Sequence, residues 1–263
     1  MKTIIRMMRE EAAGEELWET LHREGWIFLE EKEPAPEEGQ CLVITDSQEG
    51  VEYARQRDLA CLAYEPAGSP QHVYGADMVA EELNELNGEF LKLVWKRHKG
   101  LPWTIAITEH LILRESIAGD LEDFYRIYGG AGITDYMPGL SEDREKEAAE
   151  LEAYIKNMYR FFNYGLWTVL ERATGRIVGR AGLENACDPE TGEPVMELGY
   201  LIGKPWQNRG YGTEAANAAA RYAFEAAEVP RLYLFIKYGN IPSRKIAEKL
   251  RRQYPGKIRI ILL

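Results

Sequence analysis

The chain has 263 residues, 45% hydrophobic and 29% charged, proportions that exclude wholesale disorder and collagen-like repeats and leave enough apolar mass for a buried core. Its 32 basic and 43 acidic residues give a net charge of −11, which argues against a protein that holds nucleic acid by neutralising phosphates. Residues 1–100 carry 11 Lys/Arg and 21 Asp/Glu, whereas 101–263 carry 21 and 22. The shift coincides with His98-Lys99-Gly100-Leu101-Pro102-Trp103 and predicts two domains, a small acidic α/β one over 1–100 and a larger one over 101–263. Cys41, Cys61 and Cys187 are odd in number and widely spaced, so neither a disulfide framework nor a zinc ribbon is encoded and a reducing cytoplasm is expected. No secretion signal, membrane span or metal site is read from the sequence.

In chain order, residues up to Glu37-Glu38-Gly39 read as a polar lead-in. Cys41-Leu42-Val43-Ile44 then forms a buried strand ending at Thr45-Asp46-Ser47. Ser47 is placed to cap a helix carrying Val51, Ala54 and Leu59, which leads to a second strand, Ala60–Tyr64. The strand-Thr-Asp-Ser-helix run, with Tyr74-Gly75-Ala76-Asp77 before an acidic helix expected near Val79, faintly resembles the later motifs of haloacid-dehalogenase-type phosphatases. Those enzymes need an Asp-x-Asp nucleophile, which this chain lacks. Asp46 reads either as a residue of a site at a strand's carboxyl end or as part of a helix cap.

Leu111–Arg114 predicts a strand, and Gly119-Asp120 opens a helix with Leu121, Phe124, Tyr125 and Tyr128 at helical spacing. Ser141 is expected to cap a longer helix whose buried stripe is Ala148, Leu151, Ile155, Met158 and Phe162. Strands at 166–170 and 177–183 flank Ala173-Thr174-Gly175, and a turn at 188–192 leads into a strand over 195–202, two successive hairpins. This order predicts a mixed α/β (α+β) fold with a mostly antiparallel sheet flanked by helices.

The last of these strands runs through Gly203-Lys204-Pro205-Trp206 into Gln207-Asn208-Arg209-Gly210-Tyr211-Gly212-Thr213 and an alanine-rich helix. Backbone N–H groups of such a loop and the positive end of the helix form an anion site matched to a pyrophosphate. No Gly-x-Gly-x-x-Gly follows an early strand and no Walker lysine is present, so dinucleotide and P-loop readings fail. Arg209 reads as a phosphate-facing cation or as a solvated loop charge.

Glu197-Leu198-Gly199-Tyr200, the Gln207–Gly212 loop and Asn240-Ile241-Pro242-Ser243 occur in an order and spacing that resemble the GNAT superfamily of N-acetyltransferases, most closely its RimJ/RimL-like branch, over about 108–250. The resemblance implies acetyl transfer from acetyl-CoA to a primary amine, a protein N-terminus or a small amine, with no metal. It implies a cofactor site made of Leu201, Gln207, Asn208, Arg209, Gly210, Tyr211, Gly212, Thr213, Asn240 and Ser243, in which a backbone N–H near Leu201 meets the thioester oxygen. An α-amino group titrates near ~8 and a lysine near ~10.4, so a base must remove a proton before attack. Glu197 matches the position of the family's catalytic glutamate; read from alternation alone it is a partly buried strand residue. Relatives carry a tyrosine in the helix after Asn240; none lies between Ile241 and Arg252, and Ser243 is assigned to the cofactor sulfur, or else bonds backbone at the helix start. Asp135 and Tyr136, in the loop after the first helix, are expected to hold the substrate ammonium.

After Leu250 the family continues into two long antiparallel strands, whereas here a single strand, 257–263, follows. Its open edge suggests cover by the N-terminal domain or a homodimer through the C-terminal sheet edge. These departures leave an alternative of another class, a non-catalytic acyl-CoA-binding or scaffold protein with a degenerate GNAT fold.

Overall fold

The computed structural model describes residues 2–9, 14–29, 40–70, 72–159 and 162–263, so Glu37-Glu38-Gly39 of the expected lead-in lies outside the described residues. The chain divides into two compact units, Met1–Trp103 and Thr104–Leu263.

The first unit is built on β1 (Lys2–Met7), α1 (Glu15–Arg23), β2 (Ile27–Leu29), β3 (Gln40–Thr45), α2 (Gln48–Gln56), β4 (Ala60–Tyr64), β5 (Met78–Ala80) and α3 (Gly88–His98). Its five strands are all parallel in the order β2-β1-β3-β4-β5. A parallel strand covered on both faces reads as a continuous apolar run, and Leu42, Val43, Ile44, Cys61, Leu62 and Ala63 are all buried. The stretch read as a polar lead-in instead supplies β1, an inner strand paired with β3 from Lys2↔Gln40 to Met7↔Thr45. Only Thr3, Ile4 and Ile5 of it are fully buried, a run too short to stand out from its charged flanks. Ser47 caps α2 by accepting from the Gly50 N–H at 3.2 Å. The helix expected near Val79 is not formed there: Val79 lies in β5, and α3 starts later, where the Asn87 side-chain Oδ1 accepts from the Phe90 N–H at 3.0 Å.

The second unit runs β6 (Thr104–Ile107), β7 (Leu111–Arg114), α4 (Leu121–Tyr128), α5 (Arg144–Tyr154), β8 (Leu166–Glu171), β9 (Ile177–Cys187), β10 (Pro194–Ile202), α6 (Tyr211–Glu225), β11 (Leu232–Ile236), α7 (Ile241–Gln253) and β12 (Ile258–Leu262). The seven strands lie in the order β12-β11-β10-β9-β8-β7-β6, antiparallel from β6 to β10 and parallel from β10 to β12. One face packs on α6 and α7: Trp167, Val169, Leu183, Leu198 and Ile202 meet Ala215, Ala219, Ala223, Ala247 and Leu250. Small residues on α6 let the helix backbone approach the sheet closely, and α6 touches both β9 and β10. The other face packs on α4 and α5, where Leu201 and Ile177 join Phe124, Ile127, Tyr128 and Leu151.

Two expectations for the long helix are corrected. Its cap is Asp143, whose carboxylate accepts from the Lys146 N–H at 3.1 Å, while the Ser141 hydroxyl accepts from the Asp143 N–H at 3.2 Å. After Tyr154 the chain makes a π turn over Ile155–Tyr159, which adds a residue to the turn and rotates the following side chains. Tyr159 therefore occupies the core at 1% exposure, whereas Phe162, at the end of the expected stripe, is 39% exposed. The buried Tyr159 hydroxyl donates to the Leu166 carbonyl at 2.6 Å, tying this turn to β8.

Candidate active site

The site is organised by a parting of strands. β10 and β11 are paired only at Met196↔Leu232 and Glu197↔Tyr233, although β10 continues to Ile202 and β11 to Ile236. Beyond Glu197 the two strands are no longer paired, which leaves a gap in the ladder inside the sheet. On its other side β10 stays in register with β9 as far as Ile202↔Gly179. The Gly203 N–H donates to the Val178 carbonyl at 2.8 Å and fixes the parity of that ladder. Backbone polar groups alternate sides along an antiparallel strand, so Gly203, Leu201 and Gly199 turn their amides to β9, while Ile202 and Tyr200 turn theirs into the gap. The expected donor near Leu201 is thus corrected to its two neighbours. Leu201 itself is 9% exposed and packs on α4 and α5.

At the far end of the gap lies the loop into α6. The Gln207 side chain donates to the Ile202 carbonyl at 2.8 Å and fastens the loop to the end of β10. Asn208 (φ 62°) and Gly210 (φ 87°) both adopt left-handed backbone, and nothing lies within 4 Å of where a Gly210 Cβ would stand. No side chain caps α6, and the first intrahelical bond runs from the Glu214 N–H to the Gly210 carbonyl. The N–H groups of Tyr211, Gly212 and Thr213 thus precede the helix ladder at its positive end, a set of main-chain donors suited to an anion. Arg209 is exposed beside it, 3.7 Å from the Glu171 carboxylate. Tyr211 turns its ring inward and donates to that carboxylate at 2.8 Å, so its own contribution to the cradle is its backbone.

Glu197 stands where the strands part. Burial, and secondarily the Glu184 charge, push its carboxyl up to about 7. Glu184 faces it directly across β9 and β10. On the opposite face Tyr200 donates to the Ser243 carbonyl at 2.9 Å, and its hydroxyl lies 2.9 Å from Ser243 Oγ. Burial pushes this phenol up to about 12, so it stays protonated near neutrality. Asn240 caps α7 by accepting from the Ser243 N–H at 3.2 Å, which orients Ser243 at the edge of the gap. Tyr136, expected at the acceptor, donates to the Gly239 carbonyl at 3.0 Å and ties the loop after α4 to the β11–α7 connection. Asp135 beside it is exposed.

Sequence reasoning passed over two residues of this constellation, Tyr200 and Glu184. Strand alternation puts Tyr200 on a face with Leu198 and Ile202, but its meeting with Ser243 depends on how α7 docks. Glu184 is visible once the second hairpin is given a register, because that register sets it opposite Glu197. Among the described residues no group of three or more His, Cys, Asp or Glu side chains is arranged to hold a metal ion, and no helix is long and apolar enough to cross a membrane.

Residues 110–252 match the acetyltransferase (GNAT) domain family, and the chain belongs to that family. Similar proteins include the uncharacterized protein YkkB of Bacillus subtilis, 26% identical over 52% of this chain and 77% of the relative. The uncharacterized N-acetyltransferase p20 of Bacillus licheniformis is 24% identical over 58% and 84%. Among solved structures, a ribosomal-protein-S5-alanine acetyltransferase from Vibrio fischeri aligns at 16% identity over 57% of this chain and 81% of that one, with a TM-score of 0.47.

Proposed function

We propose that this chain moves an acetyl group from acetyl-CoA to a primary amine, a protein N-terminus or a small amine, by direct attack within a ternary complex. The observation that carries the reading is the gap between β10 and β11, which runs from the Gly210 cradle to Glu197 and is lined by the amides of Tyr200 and Ile202. In this reading the α6 N–H groups, with Asn208 and Arg209, hold the pyrophosphate, and the two strand amides hold the pantetheine arm and the thioester oxygen. Glu197 takes the proton of the incoming ammonium, a task suited to a carboxyl that titrates at about 7. The protonated Tyr200, aligned by Ser243, returns a proton to the departing sulfur. A tyrosine on β10 thus stands in for the one absent from α7, which weakens the case for a degenerate scaffold. Asp135, left exposed beside the bonded Tyr136, is the charge offered to a cationic acceptor.

Calorimetric titration with acetyl-CoA tests this reading, with thiol release measured over a panel of peptide and small amines. Expected are micromolar-range binding, its loss in Gly210→Trp checked for native circular dichroism, and turnover that rises with pH through about 7. No binding by the folded wild type overturns the reading. Binding without turnover on any amine selects the acyl-CoA-binding scaffold instead.

A further inference from the structure

Glu197 and Glu184 are opposite each other in the β9–β10 ladder, so their side chains leave the same face of the sheet with Cβ atoms about 5 Å apart. The next pair on the same face, Gly199 with Gly182, carries no side chains. The Glu184 carboxylate leans into the room this leaves: Oε2 lies 3.5 Å from where a Gly199 Cβ would stand, beside Leu166 Cδ2 at 3.2 Å. That position is on the flank of the gap, next to the residues proposed to meet the thioester. Other titratable groups share the face. Arg180 lies two pairs along, its guanidinium over the Phe124 ring at 4.7 Å and near the Tyr154 ring at 5.9 Å. Tyr233 of β11 is paired with Glu197, and Arg259 of β12 is paired with Tyr233 but engaged by Glu190 at 2.9 Å and Asp188 at 3.4 Å. From the helical side come Tyr128 of α4, Tyr154 of α5 and Tyr159 of the π turn.

We infer that Glu184 is a positioning residue for acetyl transfer: held opposite Glu197 and folded over Gly199, it makes with Glu197 a carboxylate pair that keeps Glu197 ready to accept the acceptor's proton. The inference rests on the proposed function, because it assigns Glu184 a role in that same site. A like charge across the ladder disfavours ionisation of Glu197 and adds to the larger effect of its burial. Burial acts on both partners, raising Glu184 as well, while Arg180 opposes the rise at Glu184. Arg180 is directed to aromatic rings and does not take the place of a counter-ion at Glu197. Removing the Glu184 charge therefore makes Glu197 a weaker base without touching the cofactor cradle.

The test is a carbon-detected NMR titration of the full chain labelled at glutamate carboxyls, run with the pH profile of kcat/KM. Glu197→Gln assigns the high-titrating signal. In Glu184→Gln that signal's midpoint falls by about one pH unit, roughly a tenfold gain in acidity, and the acid limb of kcat/KM moves with it. Glu184→Asp, which keeps the charge, restores both, and acetyl-CoA affinity is unchanged throughout. Turnover with an unmoved Glu197 midpoint in Glu184→Gln overturns the inference alone. A wild type that turns over no amine overturns the acetyltransferase reading and takes the inference with it.

Discussion

The role proposed for Glu197 and its burial have opposite pH dependences. As the proposed base Glu197 must be ionised, so activity is expected to rise through about 7. Its folded-state value is raised above the ordinary glutamate range near ~4.3, so the native state holds a proton that the unfolded state has released, and stability falls as pH rises between those values. Denaturation of Glu197→Gln at a series of pH values is expected to match wild type below about 4 and to exceed it above about 7, with turnover depressed throughout. Tyr200→Phe separates chemistry from binding. It keeps the ring on the face of Leu198 and Ile202 but removes the hydroxyl beside Ser243, so kcat is expected to fall about a hundredfold with acetyl-CoA affinity unchanged in calorimetry. At this scale the sequence was readable where a side chain's role is set by its own strand: alternation was enough to make Glu197 a partly buried carboxylate. Tyr200 was not, because Ser243, 43 positions away, comes to it only by helix docking.

Among the elements, local chemistry decided what could be read in advance. The Ala173-Thr174-Gly175 turn, the Ser47 cap and the glycine loop before α6 are each fixed by a few adjacent residues, and each lies where the sequence put it. The π turn at Ile155–Tyr159 goes with the bond from the buried Tyr159 hydroxyl to the Leu166 carbonyl on β8, and the cap at Asp143 goes with a bond from the Ser141 N–H to the Glu147 carboxylate in the first turn, neither of which the apolar spacing announces. The second unit also holds a buried ionic network. Asp120, 2% exposed, accepts two bonds from Arg114 at 2.7 Å each, one from Thr168 at 2.7 Å and one from the Ile117 N–H at 3.1 Å. It joins the start of α4 to β7 and β8. Asp120→Ala strands the Arg114 charge among these elements and is expected to cost about 3–5 kcal/mol in chemical denaturation, far more than loss of an exposed ion pair.

For the molecule as a whole, the family match falls entirely within the second unit, and the fold of that unit follows from motifs that were legible. The first unit was half legible: its β3-α2-β4 core was, whereas β1 was hidden by its brevity and charged flanks. Open parallel sheets take ligands at the carboxyl ends of strands where the strand order reverses, here between β1 and β3. At that place the Arg9 N–H donates to both oxygens of Asp46, at 3.0 and 2.8 Å, and Thr45 Oγ1 donates to the Met7 carbonyl at 2.8 Å. Asp46→Ala is expected to lower the stability of the first unit by about 1–3 kcal/mol in denaturation and to leave acetyl-CoA affinity unaltered. The carboxylate at that crevice is answered by main chain of its own sheet, so the Arg9–Asp46 contact stitches together the segments that leave the carboxyl ends of β1 and β3.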